Sequence, residues 1–135
     1  MRPFRDLVVW QESHDLTLRI YRATGAFPRE ELYGLTSQMR RAASSVPSNI
    51  VEGSARTDGE FRHALQISLG SATELEYQLL LAKDLGYLPA QEYTELDGKL
   101  TSIKKMLVVF MRRVAQPQQP TANSQRPSGR RGVAE

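Results

Sequence analysis

YGLTSQMRRAASSVPSNIVEG, residues Tyr33–Gly53, decides how the rest of the chain is read. Leu35, Met39, Ala42, Val46 and Asn49 recur at spacings of four, three, four and three, which puts them on one face of a helix. Among them stand the pair Arg40-Arg41, a run of small residues and Pro47. A proline inside a helix removes one backbone donor and crowds the preceding turn, at a cost of about 3 kcal/mol. The segment is expected to be a kinked but continuous helix ending near Gly53, with Ser44 and Ser45 serving the freed carbonyls.

Upstream, Asp6 is a candidate N-cap with Phe4 just ahead of it. Leu7, Trp10, His14 and Tyr21 form one apolar stripe of a first helix, and Val9, Leu16 and Ile20 form a second. Gly25 is the expected stop, Phe27 an expected plug into the core, and Pro28–Leu32 a single helical turn. Downstream, Thr57-Asp58-Gly59-Glu60 has the form of a capping box opening a third helix that runs to Leu85, with Gly86 as its stop.

That third helix carries Phe61, Leu65, Ser68, Ala72, Leu75, Leu79 and Ala82 as one stripe, with further leucines and Ile67 outside it. Gly70-Ser71-Ala72 at its middle is a place for another backbone to come close. After Pro89, a fourth helix repeats apolar residues at Tyr93, Leu96, Leu100, Ile103, Leu107, Phe110 and Val114, the pattern of shallow-angle helix packing. Four helices on short turns, with no strand-like alternation, predict an all-α fold: an antiparallel up-and-down four-helix bundle over residues 1–115. Residues 116–135, rich in Pro, Gln and Arg without periodicity, are expected to be a disordered tail. The surplus apolar surface on the third and fourth helices predicts a homo-oligomer.

Composition narrows the chemistry. With no cysteine among 135 residues, disulfides, thiolate metal sites and a cysteine nucleophile are excluded. No apolar run reaches the roughly 20 residues needed to cross a bilayer, so no membrane partner and a cytoplasmic location are expected. The formal charge of +3 is uneven: residues 116–135 hold a net +2, leaving +1 for residues 1–115.

Two histidines limit acid–base chemistry. His14 reads as a core histidine on the first helix's apolar stripe, and His63 ends a Glu60-x-x-His63 pattern that resembles half of a di-iron carboxylate motif. A second copy of that pattern is absent, and Glu60 is already explained by the capping box. No catalytic residue, metal site or cofactor is therefore assigned. Asn49, Glu52 and Glu74 are expected to form a structural polar network, with Arg40 or Arg41 pairing the carboxylates. Phosphate contacts, if nucleic acid is the partner, fall to Arg40, Arg41, Arg56 and Arg62, and on the fourth helix to Lys104, Lys105, Arg112 and Arg113.

Three segments, FRDLVVWQ at Phe4–Gln11, FPREELYGLTSQMRRAASSVPSNIVEG at Phe27–Gly53 and LGSATELEYQLLLAKDLGYL at Leu69–Leu88, together resemble the four-helix-bundle family of ribosomal-RNA intervening-sequence proteins. They are also similar to the accessory variability determinant proteins of diversity-generating retroelements. The resemblance implies a homopentameric ring without known enzymatic activity; the retroelement members bind nucleic acid and a reverse transcriptase through a strongly basic exterior. The expectation is thus a non-enzymatic, homopentameric helical scaffold whose partner is RNA, DNA or a nucleic-acid-handling protein. The alternative is a metal- or carboxylate-dependent enzyme built on Glu60, His63, Glu52 and Glu74.

Overall fold

The computed structural model describes residues 3–115, and the tail expected over residues 116–135 lies outside the described residues. A 3₁₀ turn at Phe4–Asp6 precedes α1 (Val8–Thr24). A second at Arg29–Glu31 leads into α2 (Leu35–Ser54), followed by α3 (Asp58–Asp84) and α4 (Ala90–Ala115). No strand occurs among the described residues. The helices pack in chain order, α2 most extensively on α3, and the α1–α4 seam that closes the bundle is the thinnest.

The core is the one that helical periodicity selects. Phe61, Leu65, Ser68, Ala72, Leu75, Leu79 and Ala82 of α3 are all buried, as are Leu96, Leu100, Ile103, Leu107 and Val114 of α4. The capping box at Thr57 is formed, with Glu60 N donating to Thr57 Oγ1 at 3.2 Å and Thr57 N donating to Glu60 Oε1 at 3.2 Å. Gly86 takes φ +81° just past α3, where a residue with a Cβ would be strained. Phe27 plugs into the core and meets Tyr87 at a ring distance of 5.5 Å.

At the start of α1 the structure departs from the reading. Asp6 belongs to the 3₁₀ turn and Leu7 occupies the N-cap position without a side-chain cap. The turn is held instead by Gln11 Nε2 donating to Arg5 O at 2.7 Å and by Phe4 standing edge-on to Trp10 at 5.0 Å. His14 is exposed rather than in the core, stacked on Trp10. The core face of α1 is the neighbouring stripe of Val9, Leu16 and Ile20.

Helix α2 runs continuously through Pro47. The proline leaves the Ala43 carbonyl without its i+4 amide. Neither Ser44 nor Ser45 supplies the replacement: Ser44 Oγ donates to Arg41 O, and Ser45 Oγ accepts from Asn49 and Ser71. The donor comes from another helix. Buried Thr17 Oγ1 of α1 lies 3.1 Å from Ala43 O and 2.8 Å from Ser13 O, sharing its proton between them. On the opposite side Ser68 Oγ of α3 donates to Val46 O at 2.9 Å.

Within Gly70-Ser71-Ala72, Ser71 bonds to Ser45 of α2 and Ala72 is fully buried, while Gly70 itself faces outward. A Cβ on Gly70 would meet nothing within 4 Å, whereas one on Gly53 would lie 2.7 Å from both Ala64 Cβ and Phe61 Cδ1. Gly53 is buried inside the last turn of α2 and does not end it. It lets α2 cross α3 at close range.

Two substitutions check this. Gly53→Ala is expected to lower the melting temperature by several degrees, because an overpacking cost of about 1–3 kcal/mol exceeds the roughly 1 kcal/mol helix-propensity gain. Thr17→Val should cost about 1–3 kcal/mol in denaturant unfolding by orphaning a buried carbonyl. In a Pro47→Ala background, where residue 47 regains its amide, the same change should cost about 1 kcal/mol less; equal costs in both backgrounds would refute the pairing.

Candidate nucleic-acid interface

The eight cations selected from the sequence do not converge on one surface. Arg40 is a tie between helices: its Nε donates to Thr24 Oγ1 at 2.9 Å and its Nη2 to Tyr21 O at 3.2 Å, with the guanidinium 4.8 Å above the Tyr21 ring. Arg41, the next residue, is exposed and lines a shallow groove with Tyr21 and Tyr33 between α1 and α2. Arg56 pairs with Glu52 at 3.4 Å one turn back, and Arg62 is exposed on the first turns of α3.

On α4 the set divides. Lys104 reaches α3 and pairs with Glu76 at 2.7 Å. Arg113 lines the groove beside α1 together with Asp6, Lys105 lines both that groove and the one that Lys104 and Glu76 share, and Arg112 is exposed on the same helix. Among the described residues Arg41, Arg62, Lys105, Arg112 and Arg113 have no ion pair.

Among the described residues Asn49, Glu52 and Glu74 are not linked to one another. Glu52 is exposed, and Glu74 is exposed with only Gln78 Nε2 donating to it at 3.4 Å. Among the described residues neither Arg40 nor Arg41 pairs with either carboxylate. The inter-helix polar chain that does form is made of smaller groups. Asn49 Nδ2 donates to Ser45 O at 2.8 Å and to Ser45 Oγ at 3.1 Å, and Ser71 Oγ of α3 donates to Ser45 Oγ at 2.9 Å. Hydroxyls on otherwise apolar faces were the available signal for Thr17, Ser45 and Ser68, and charge drew the reading elsewhere.

Of the residues for the enzyme alternative, Glu52, Glu60 and His63 line one corner groove between the end of α2 and the start of α3, and Glu74 lies outside it. Glu60 is committed to its cap: the Thr57 amide, then the Thr57 hydroxyl, hold its carboxyl below the usual range. Among the described residues no group of three His, Cys, Asp or Glu is placed to hold a metal ion. No helix among them is long and apolar enough to cross a membrane.

Residues 5–109 match the family described as 23S rRNA-intervening sequence protein. The chain belongs to that family. The match takes in α1, α2, α3 and most of α4, so the resemblance carried by the three sequence segments holds over residues 5–109. Among solved structures, the chain is similar to a Bacteroides thetaiotaomicron VPI-5482 protein described as of unknown function from the S23 ribosomal protein family. The TM-score is 0.72 at 25% identity, covering 78% of this chain and 96% of that one. No curated protein matches the chain. Neither description names an enzymatic activity.

In this intervening-sequence protein Arg40 and Arg41 therefore have separate duties. Arg40→Ala is expected to cost about 1 kcal/mol, roughly 4 °C in melting temperature, through two lost hydrogen bonds and the ring contact. Arg41→Ala should stay within about 0.5 kcal/mol of the parent. Equal losses in both would contradict the assignment.

Proposed function

We propose that this protein is a non-enzymatic, self-assembling helical scaffold, a homopentamer, whose partner is nucleic acid or a protein that handles it. The observation that carries the assembly is the apolar surface flanking α4. Val8 is 59% and Val109 44% exposed, and Leu69, Met106 and Val108 are half-buried beside them. These residues line two adjoining grooves, one toward α1 and one toward α3, and both include Val109. Ile67, Tyr77 and Leu80 of α3 are exposed as well, and contiguous exposed apolar surface marks sites of protein association. A repeated subunit is the economical cover, since a ring buries the same two patches at every contact.

The partner class is supported by the charge left over once internal pairs are counted. Arg41, Arg62 and Arg112 lie outside those two grooves, and assembly would repeat them once per subunit. The scaffold is preferred to the enzyme alternative because Glu60 is committed to its cap and Glu74 lies outside the groove that Glu52, Glu60 and His63 line.

Light scattering coupled to size exclusion tests the assembly. The parent chain at micromolar concentration should elute at five times its 15.2 kDa mass. Val109→Glu or Val8→Glu should shift it to monomer with helical circular dichroism unchanged. A monomeric parent would overturn the reading.

A further inference from the structure

The α1–α2 face differs from every other groove-bearing face of the bundle in its charge. Two grooves adjoin there and share Ser44. The first is lined at its end by Phe4, Arg5, Trp10 and His14. The second is lined by Tyr21, Tyr33, Arg40 and Arg41. No carboxylate lines either one. By contrast, Asp6 lines the α1–α4 groove, Glu76 the α3–α4 groove, and Glu52 with Glu60 the corner between α2 and α3.

Rings and cations are already interleaved on this face. The Arg5 guanidinium sits 5.1 Å from the Phe4 ring centre and that of Arg40 4.8 Å from the Tyr21 ring. Trp10 and His14 stack with their planes 6° apart. Tyr33 is 93% exposed and has no ring partner among the described residues. The hydroxyls of Ser37, Ser44 and Ser48 lie between the two aromatic ends. Along α2 the strip runs from Ser37 to Val51, roughly 20 Å by helical rise.

We propose that the α1–α2 face binds single-stranded nucleic acid, with bases stacked on Tyr33 and against the Trp10–His14 pair and phosphates held by Arg5 and Arg41. The inference rests on the nucleic-acid reading above and narrows it to one face and one strand form. Cations without a nearby carboxylate attract phosphate, while exposed rings gain contact only from bases that are not already paired and stacked. A duplex offers no such bases. The wide spacing of the two aromatic ends suits a strand lying along α2, and Arg40 serves by fixing the Tyr21 ring between them.

The test titrates full-length protein with unlabelled thymidine and uridine 20-mers and with a 20-base-pair duplex, across a salt series. Binding is followed by emission of Trp10, the sole tryptophan, and by anisotropy of labelled competitors. Single strands should quench Trp10 and bind more tightly than duplex. Tyr33→Ala should weaken single-strand binding about fivefold or more. Arg41→Ala and Arg5→Ala should each lower the slope of log affinity against log salt by about 0.7. If these variants bind as the parent does while a Lys105→Ala, Arg112→Ala, Arg113→Ala triple variant loses affinity, this face is wrong and the nucleic-acid reading survives on α4. If no strand binds even at low salt, both fail. If Tyr33→Ala changes the assembled mass and not the binding, the face lies between subunits and the proposal is overturned.

Discussion

One carbonyl constrains the bundle more than any other group. Pro47 deprives Ala43 O of its helical partner deep in the core, where an unmet acceptor costs on the order of 1–3 kcal/mol. Thr17 Oγ1 answers it from α1 at 3.1 Å, and so fixes the axial position of α1 against α2. The same turn of α2 is gripped from the other side by Ser68 Oγ on Val46 O at 2.9 Å. A proline that would otherwise weaken one helix becomes the point at which three helices are registered.

From that point outward the packing uses small groups. The Ser45–Ser71 bond and the Gly53 crossing both hold α2 close to α3, which accounts for this being the most extensive helix pair. Close packing there leaves little depth for a cleft. The grooves found among the described residues lie on the surface between neighbouring helices.

Helical periodicity made much of this legible. The stripes of α3 and α4 were readable residue by residue because a seven-residue repeat admits one core face, and the Thr57 box was readable because its two partners lie three residues apart. Asp6 and His14 were misread, and the crossing at Gly53 was not foreseen, for a common reason. A sequence gives the angle of a residue around its helix, not the distance to the next helix. Gly53 at an apparent helix end looks the same whether it stops the helix or admits a neighbour, and His14 lies on the flank of an apolar stripe that Trp10 covers before the core is reached. Charge alone did not tell paired cations from free ones. Arg40, Arg56 and Lys104 are spent on Thr24, Glu52 and Glu76, pairings that no spacing rule distinguishes from free surface charge.

How the ion pairs are distributed explains why one face is left basic. The thin α1–α4 seam is closed by Lys99, which reaches Glu12 at 2.6 Å and Asp15 at 3.1 Å. The hydrogen bond from Lys99, with help from Arg19 and against some burial, holds the Asp15 carboxyl below its usual range. Burial opposes the Lys99 charge, but the bonds to Glu12 and Asp15 outweigh it and raise its pKa. A depressed carboxylate stabilises the fold above its unfolded pKa, and a raised ammonium does so below its own, so this seam stays charged and paired across the whole neutral range. The carboxylates of α1 that face α4 are thereby consumed, and Glu76 of α3 is engaged by Lys104 of α4. The α1–α2 junction is held by Thr17, Thr24 and Arg40 through hydroxyls and carbonyls and needs no acid. A face stitched by neutral acceptors keeps its arginines uncompensated, and this is the electrostatic condition that a phosphate chain requires.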